Sequence, residues 1–160
     1  MELGTTVMGI TLLVLCTLPF ILAMNGQKSK QKKLVRSLQT LADPHQSKIA
    51  DKDCYANFAI GVDESNLHCY YYKKGKEIEL KNCIELTDVE HCSINKVTES
   101  KFKNDHVDKI ELVLRSKDSS KPSQVLEFYN SDEFMTMGGE LKLAQKWEQN
   151  LNNIIHRKAS

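Results

Sequence analysis

The side chains best suited to chemistry in this chain are its cysteines and histidines. Cys54, Cys69, Cys83 and Cys92 lie along the middle of the chain, and His68-Cys69 and His91-Cys92 are adjacent pairs. Thiolate and imidazole are the usual donors to zinc. No Cys-x-x-Cys spacing occurs, however. On strands, neighbouring side chains point to opposite faces, so each pair offers at most one ligand. Cys69, Cys83 and Cys92 with one histidine would make a four-donor set. Small buried hydrophobes are the favoured role for these thiols, so no metal and no cofactor is expected. In a cytoplasmic domain they are reduced; in an oxidising compartment the four would allow three pairings.

Other chemistry has no sequence signature. Gly-x-Ser-x-Gly, a P-loop and a dinucleotide-binding glycine turn are all missing. Asp63, Glu64, Asp88 and Glu90 stand beside turn residues and read as solvated turn or cap carboxylates. Gly138-Gly139 reads as backbone freedom at a helix entry, with phosphate binding as the weaker alternative. The expectation is a protein that is not an enzyme.

The elements that would position these groups begin with an apolar segment. No charged side chain occurs over 3–27, and 7–24 is almost wholly apolar. About 20 apolar residues span a bilayer core of about 30 Å, and a lone spanning segment must be helical to satisfy its own backbone. Pro19 is a kink site that membrane helices tolerate. A cleaved signal fits less well, because the start carries Glu2 and no basic residue, and Leu22-Ala23-Met24-Asn25 lacks the small residues of a cleavage site. A lipoprotein signal at Cys16 would put bulky Leu15 before the modified cysteine. A buried core helix would be apolar on every face at the edge of a small domain. The expected organisation is a transmembrane anchor over 1–27, a basic amphipathic linker helix over 28–47 and a soluble domain over 48–160.

Charge is balanced overall at +1 across 160 residues, which argues against a nucleic-acid partner. Locally it is not balanced. Lys28, Lys30, Lys32, Lys33 and Arg36 follow the apolar segment directly. Positive-inside reasoning places the N-terminus outside and the domain in the cytoplasm. The same five residues are the candidate membrane-surface site, since a basic residue near anionic headgroups contributes about 1 kcal/mol. Over 32–42, Leu34, Leu38 and Leu41 recur at helical spacing. Asp43-Pro44 ends that pattern. These leucines either lie on the membrane or pack on the domain, and packing is favoured.

The remaining chain reads as strands followed by a helix. Strands are expected over 55–63, 67–73, 77–86 (with Lys81-Asn82 as a candidate break), 91–98, 107–115 and 124–129, on period-two patterning. Tyr70-Tyr71-Tyr72 suits a half-buried sheet. A polar loop is expected over 99–106, and 130–137 could hold a further short strand. Leu141, Ala144, Trp147, Leu151 and Ile154 give one apolar stripe to a helix over 139–156, with Trp147 as the main plug of the core. Its polar face carries Glu140, Lys142, Gln145, Glu148, Gln149 and Asn152. The fold class is α+β: an N-terminal transmembrane helix, then a mainly antiparallel bent sheet or open barrel capped by a C-terminal helix.

Several stretches carry a resemblance. They are Ala59-Ile60-Gly61-Val62-Asp63-Glu64 into Leu67-His68-Cys69-Tyr70-Tyr71, Ile84 through Cys92, Lys109 through Leu114, Leu126-Glu127-Phe128-Tyr129, and the helix around Trp147. Over about 48–155 the chain resembles the pleckstrin-homology-like (PH-like) superfold, as found in small bacterial single-pass membrane proteins of unknown function. A clear seventh strand is missing from the pattern. The resemblance implies a binding or scaffolding module and no ligand. Phosphoinositide-binding members gather Lys and Arg at the first hairpin. Here that turn is Asp63-Glu64-Ser65-Asn66, which disfavours phosphoinositide there. The expected partners are the lipid bilayer, through the N-terminal helix, and a cytoplasmic or membrane protein. The alternative is a sensor of anionic lipid or bilayer state that uses the basic segment.

Overall fold

The computed structural model describes residues 2–75, 78–98 and 107–159, with the backbone alone at 2–6, 18, 20–25, 27 and 159. The polar loop expected over 99–106 lies outside the described residues.

Helix α1 runs unbroken from Glu2–Ala42, with Pro19 inside it. The expected linker helix is therefore not a separate element: its leucines occupy the last three turns of α1. Asn25 and Gly26, between the apolar and basic stretches, are weak helix formers, but neither stops the helix. It ends where expected, in a 3-10 turn at Asp43–His45 closed by left-handed Gln46.

Among the described residues seven strands follow: β1 (Asp51–Tyr55), β2 (Phe58–Asp63), β3 (His68–Lys74), β4 (Glu79–Glu85), β5 (Val89–Val97), β6 (Lys109–Ser116) and β7 (Gln124–Asn130). They form two antiparallel sheets, β1-β2-β3-β4 and β5-β6-β7. Helix α2 (Glu140–Ala159) closes the assembly. This is an α+β fold of antiparallel sheets with a C-terminal helix, consistent with the PH-like resemblance.

The seventh strand is β1, which the sequence pattern hides. The stretch expected as one strand over 55–63 contains a two-residue hairpin, with Tyr55 paired to Phe58 and Ala56 at a φ of 47°. Alanine is an unusual occupant of that left-handed position, so no glycine marks the turn. The further short strand considered over 130–137 is turn and bend instead. Strand β4 is continuous through Lys81-Asn82, which pair with Tyr72 and Tyr71.

One core fills the space between the sheets and α2. It joins Phe58, Ile60 and Val62 of β2 to Ile110, Leu112 and Leu114 of β6, with Trp147 and Leu151 from α2. Trp147 is fully buried, as its place on the stripe implied. A second core lies on the outer face of the first sheet, where Leu34, Leu38 and Ala42 of α1 cover Ala59, Tyr70 and Tyr72. The leucines of α1 thus pack on the domain. Tyr70, Tyr71 and Tyr72 are all buried, not half-buried, because helix and core cover opposite faces of β3.

Helix α2 also seals an edge. The Asn152 side chain accepts from the Cys92 N–H and donates to the Cys92 carbonyl, both at 2.8 Å. Glu148 accepts from the Ile94 N–H at 2.9 Å. Both residues were expected on the polar, outward face. They serve instead as partners for the free edge of β5, which would otherwise present unpaired backbone groups.

Candidate functional site

The basic stretch of α1 leaves the second core and faces solvent. Lys28, Lys30, Lys32, Lys33 and Arg36 are all exposed. Helical spacing divides them between two depressions. Lys30, Lys33 and Arg36 line a groove of about 930 Å³ between α1 and the end of the first sheet, together with Lys74, Tyr72 and Phe134. Lys28 and Lys32 turn to the other side, where Arg36 also reaches, and meet Lys52 in a hollow of about 650 Å³. Lys74 and Lys52 were not legible as members, because they come from strands brought under the helix only by folding.

Two carboxylates offset the first groove in part. Glu79 is held below its ordinary pKa by the Tyr72 hydroxyl, and then by Lys81. Glu133 pairs with Lys73 at 2.8 Å. Lys73 is 3% exposed and also contacts Glu127, so Glu133, which lines the groove, is itself engaged with a buried cation. The lip of the groove keeps Lys30, Lys33, Arg36 and Lys74, an arrangement suited to an anion.

The acidic hairpin has a structural task. Asp63 accepts hydrogen bonds from the backbone N–H of Lys48, Ser65 and Asn66 and from the Asn66 amide. Burial alone would raise its pKa. The bonds from Asn66, Ser47, Ser65 and Lys48 outweigh burial and hold the carboxyl below its ordinary value. It is a buried turn cap, not the solvated carboxylate the sequence suggested.

The cysteines divide between the two faces of the sheets. Cys69 and Cys92 are buried in the first core, and burial pushes the Cys92 thiol up to about 12, with Glu148 adding to it. Cys83 is exposed on the opposite face, where it pairs across from Tyr70. The set Cys69, Cys83 and Cys92 is therefore not brought to one face. His68 and Cys69 do point to opposite sides, as adjacent strand residues must.

What the sequence spacing did not show is that Cys83 meets His45 and His68. The His45 and His68 rings stack at 5.1 Å, and His45 Nε2 lies 3.5 Å from Cys83 Sγ. Burial raises the Cys83 pKa; the Tyr70 hydroxyl lowers it and Glu85 raises it again. His45 sits in the turn after α1, far in sequence from the strand residues, so no local motif links them.

No protein-family model, no curated protein and no solved structure matches the chain.

Among the described residues no helix is long and apolar enough to cross a membrane. The window that carries the expected anchor, 7–24, runs through positions 18 and 20–24, whose side chains lie outside the described residues.

Proposed function

We propose that this chain is a membrane-tethered, non-enzymatic interaction module: a PH-like domain held at the bilayer by the first part of α1, with the N-terminus outside and the domain in the cytoplasm. The observation that carries this reading is the exposure of that helix. Val7, Met8, Ile10, Leu12, Leu13, Val14 and Leu15 are each 51–73% exposed. A helix apolar on every face has no polar side to give to water, and a patch of this kind marks a membrane or partner contact. Thr11 and Thr17 donate to the Val7 and Leu13 carbonyls, so both hydroxyls are satisfied within the helix, as lipid demands.

Two features support an interaction role. The second core fixes α1 to the sheet, so the tether sets the orientation of the domain. Strand β4 ends its sheet, is exposed along most of its length, and carries Leu80 with Ile78 just before it, both exposed. An open edge of this type accepts an added strand. The test is a photocrosslinker placed at Leu80 in the intact chain in its native membrane, with Lys109 as control. The expected result is a discrete protein adduct from Leu80 alone. Labelling that matches the control, or extraction of the chain from membranes by alkaline carbonate, overturns the reading.

The groove cations favour a second reading, contact with anionic lipid. At about 1.5 Å per residue, Lys28 and Lys30 of an upright helix stand about 6–9 Å beyond Met24. That is the depth of a headgroup layer about 5–8 Å thick. Lys33 and Arg36 stand about 14–18 Å out, so the full cluster meets lipid only if the helix tilts. Under this reading, charge reversal at Lys30, Lys32 and Lys33 lowers the anionic lipid retained by the purified chain. Unchanged lipid retention removes it.

A further inference from the structure

His45, His68 and Cys83 reach one point on the outer face of the first sheet from three elements. His45 closes the turn after α1, His68 opens β3 and Cys83 lies on β4. One donor atom from each falls within 4.8 Å of the others. His68 and Cys83 share a sheet face by register, since Tyr70 pairs with Cys83 and His68 with Glu85.

Two observations separate this cluster from a chance meeting of polar side chains. The first is spacing. Zinc bonds of about 2.1 Å to nitrogen and about 2.3 Å to sulfur, at a tetrahedral angle, place the two donors about 3.6 Å apart. His45 Nε2 and Cys83 Sγ are 3.5 Å apart. The second is an orphan. His68 Nδ1 is buried and has no hydrogen-bond partner among the described residues, a condition rare in folded proteins. A thiol–imidazole hydrogen bond explains His45 and Cys83 but leaves that nitrogen unsatisfied. A metal bonded to it would satisfy it.

We infer that His45, His68 and Cys83 bind one zinc ion. Two imidazoles and a thiolate select a borderline-soft metal over magnesium or calcium. Three protein ligands leave the fourth position to water, and His45 and Cys83 are exposed, so solvent reaches it. On binding, the Cys83 thiol gives its proton to solvent and both imidazoles bind through a neutral nitrogen. The ion ties the end of α1 to β3 and β4, which fastens the membrane helix to the domain at a point beyond the second core.

The experiment is titration of the intact chain in detergent with cobalt(II) as the spectroscopic probe, followed by zinc. One equivalent of cobalt should produce a thiolate-to-cobalt charge-transfer band, and zinc should bleach it, since zinc outcompetes cobalt at such donors. Cys83→Ser should abolish the band and Cys54→Ser should keep it. His45→Ala and His68→Ala should each weaken binding at least about tenfold, the loss already seen for outer-shell partners. Absence of the band, its survival in Cys83→Ser or its persistence under excess zinc overturns the site. Should a variant fail to fold, the wild type decides: zinc must raise its Tm and a chelator must reverse the rise, and no shift overturns the site.

Discussion

Asp63 shows how far a residue's type can be read without its surroundings. Aspartate beside Glu-Ser-Asn announces a turn, and β2 does end there. What composition does not announce is that the carboxylate sits 2% exposed and gathers the N–H groups of Lys48, Ser65 and Asn66. Those donors lie on both sides of it in sequence, and Lys48 arrives only through the fold. The consequence for pH follows from the direction of its shift. The folded pKa is lowered, so Asp63 stabilises the fold fully above its unfolded pKa of about 3.9. That contribution is lost as pH falls through the folded value. Asp63→Asn should cost about 2 kcal/mol near neutral pH, the scale of hydrogen bonds to a charged group. The gap to wild type should close below about pH 4. Denaturant unfolding of both chains across pH reads this directly, and a gap that stays constant with pH would assign the loss to shape, not charge. Lys73 is illegible for a related reason. Its partners Glu127 and Glu133 belong to a distant part of the chain, so nothing near it in sequence marks it as a buried ion pair.

At the scale of elements, periodicity was readable wherever one face is buried and the other wet. Strand β6 alternates as expected, with Ile110, Leu112 and Leu114 inward, and the α2 stripe falls on the core. The pattern fails where side chains serve the backbone. Glu148 and Asn152 are polar, so amphipathic reasoning turns them outward, yet they face the β5 edge because an unpaired strand has donors and acceptors to satisfy. Strand β1 fails for a similar reason. Asp51 and Asp53 look unlike strand residues, but they accept from Asn150 and from Lys146 and the Trp147 indole of α2. The Asn152 bonds are directly testable. Asn152→Ala leaves the Cys92 N–H and carbonyl without their partner, at about 1–3 kcal/mol for the group that stays buried. Asn152→Asp keeps the acceptor but sets a carboxylate oxygen against the Cys92 carbonyl and one turn from Glu148, so it should cost at least as much as Ala. Amide exchange should rise at Cys92 in both variants and stay unchanged in β2 and β3. Faster exchange across the whole domain would mean that Asn152 acts through global stability and not through the edge.

For the molecule as a whole, the informative feature is a sheet covered on both sides. Every residue of β2 is buried, and the five central residues of β3 are as well. A sheet with one wet face would alternate. On the face of β2 turned to α1, Ala59 and Gly61 are small and leave room for the helix. Gly61 sets the closest approach. A Cβ there would meet Ile49 Cγ2 at 2.7 Å, Leu38 Cδ2 at 3.1 Å and the Asp51 carbonyl at 3.2 Å. Its φ is not positive, so the backbone itself admits alanine. Freed from contacts, Gly61→Ala would stabilise by about 0.4–1 kcal/mol through the unfolded chain. The packing argues the opposite sign, a loss of about 1–3 kcal/mol from crowding in a filled core. Since Ile49 supplies the nearest atom, removing its side chain should release the strain. Ile49→Ala alone costs stability as a truncation, but in its background Gly61→Ala should cost clearly less, with only the contacts to Leu38 and the Asp51 carbonyl left. The coupling should be about 1 kcal/mol or more, as for residues in direct contact. Exchange at the amides of 34–42 should rise in Gly61→Ala and return in the double variant, with α2 unaffected throughout. Additive effects would mean that α1 does not rest on Gly61, and the coupling between α1 and the sheet would then have to come from elsewhere.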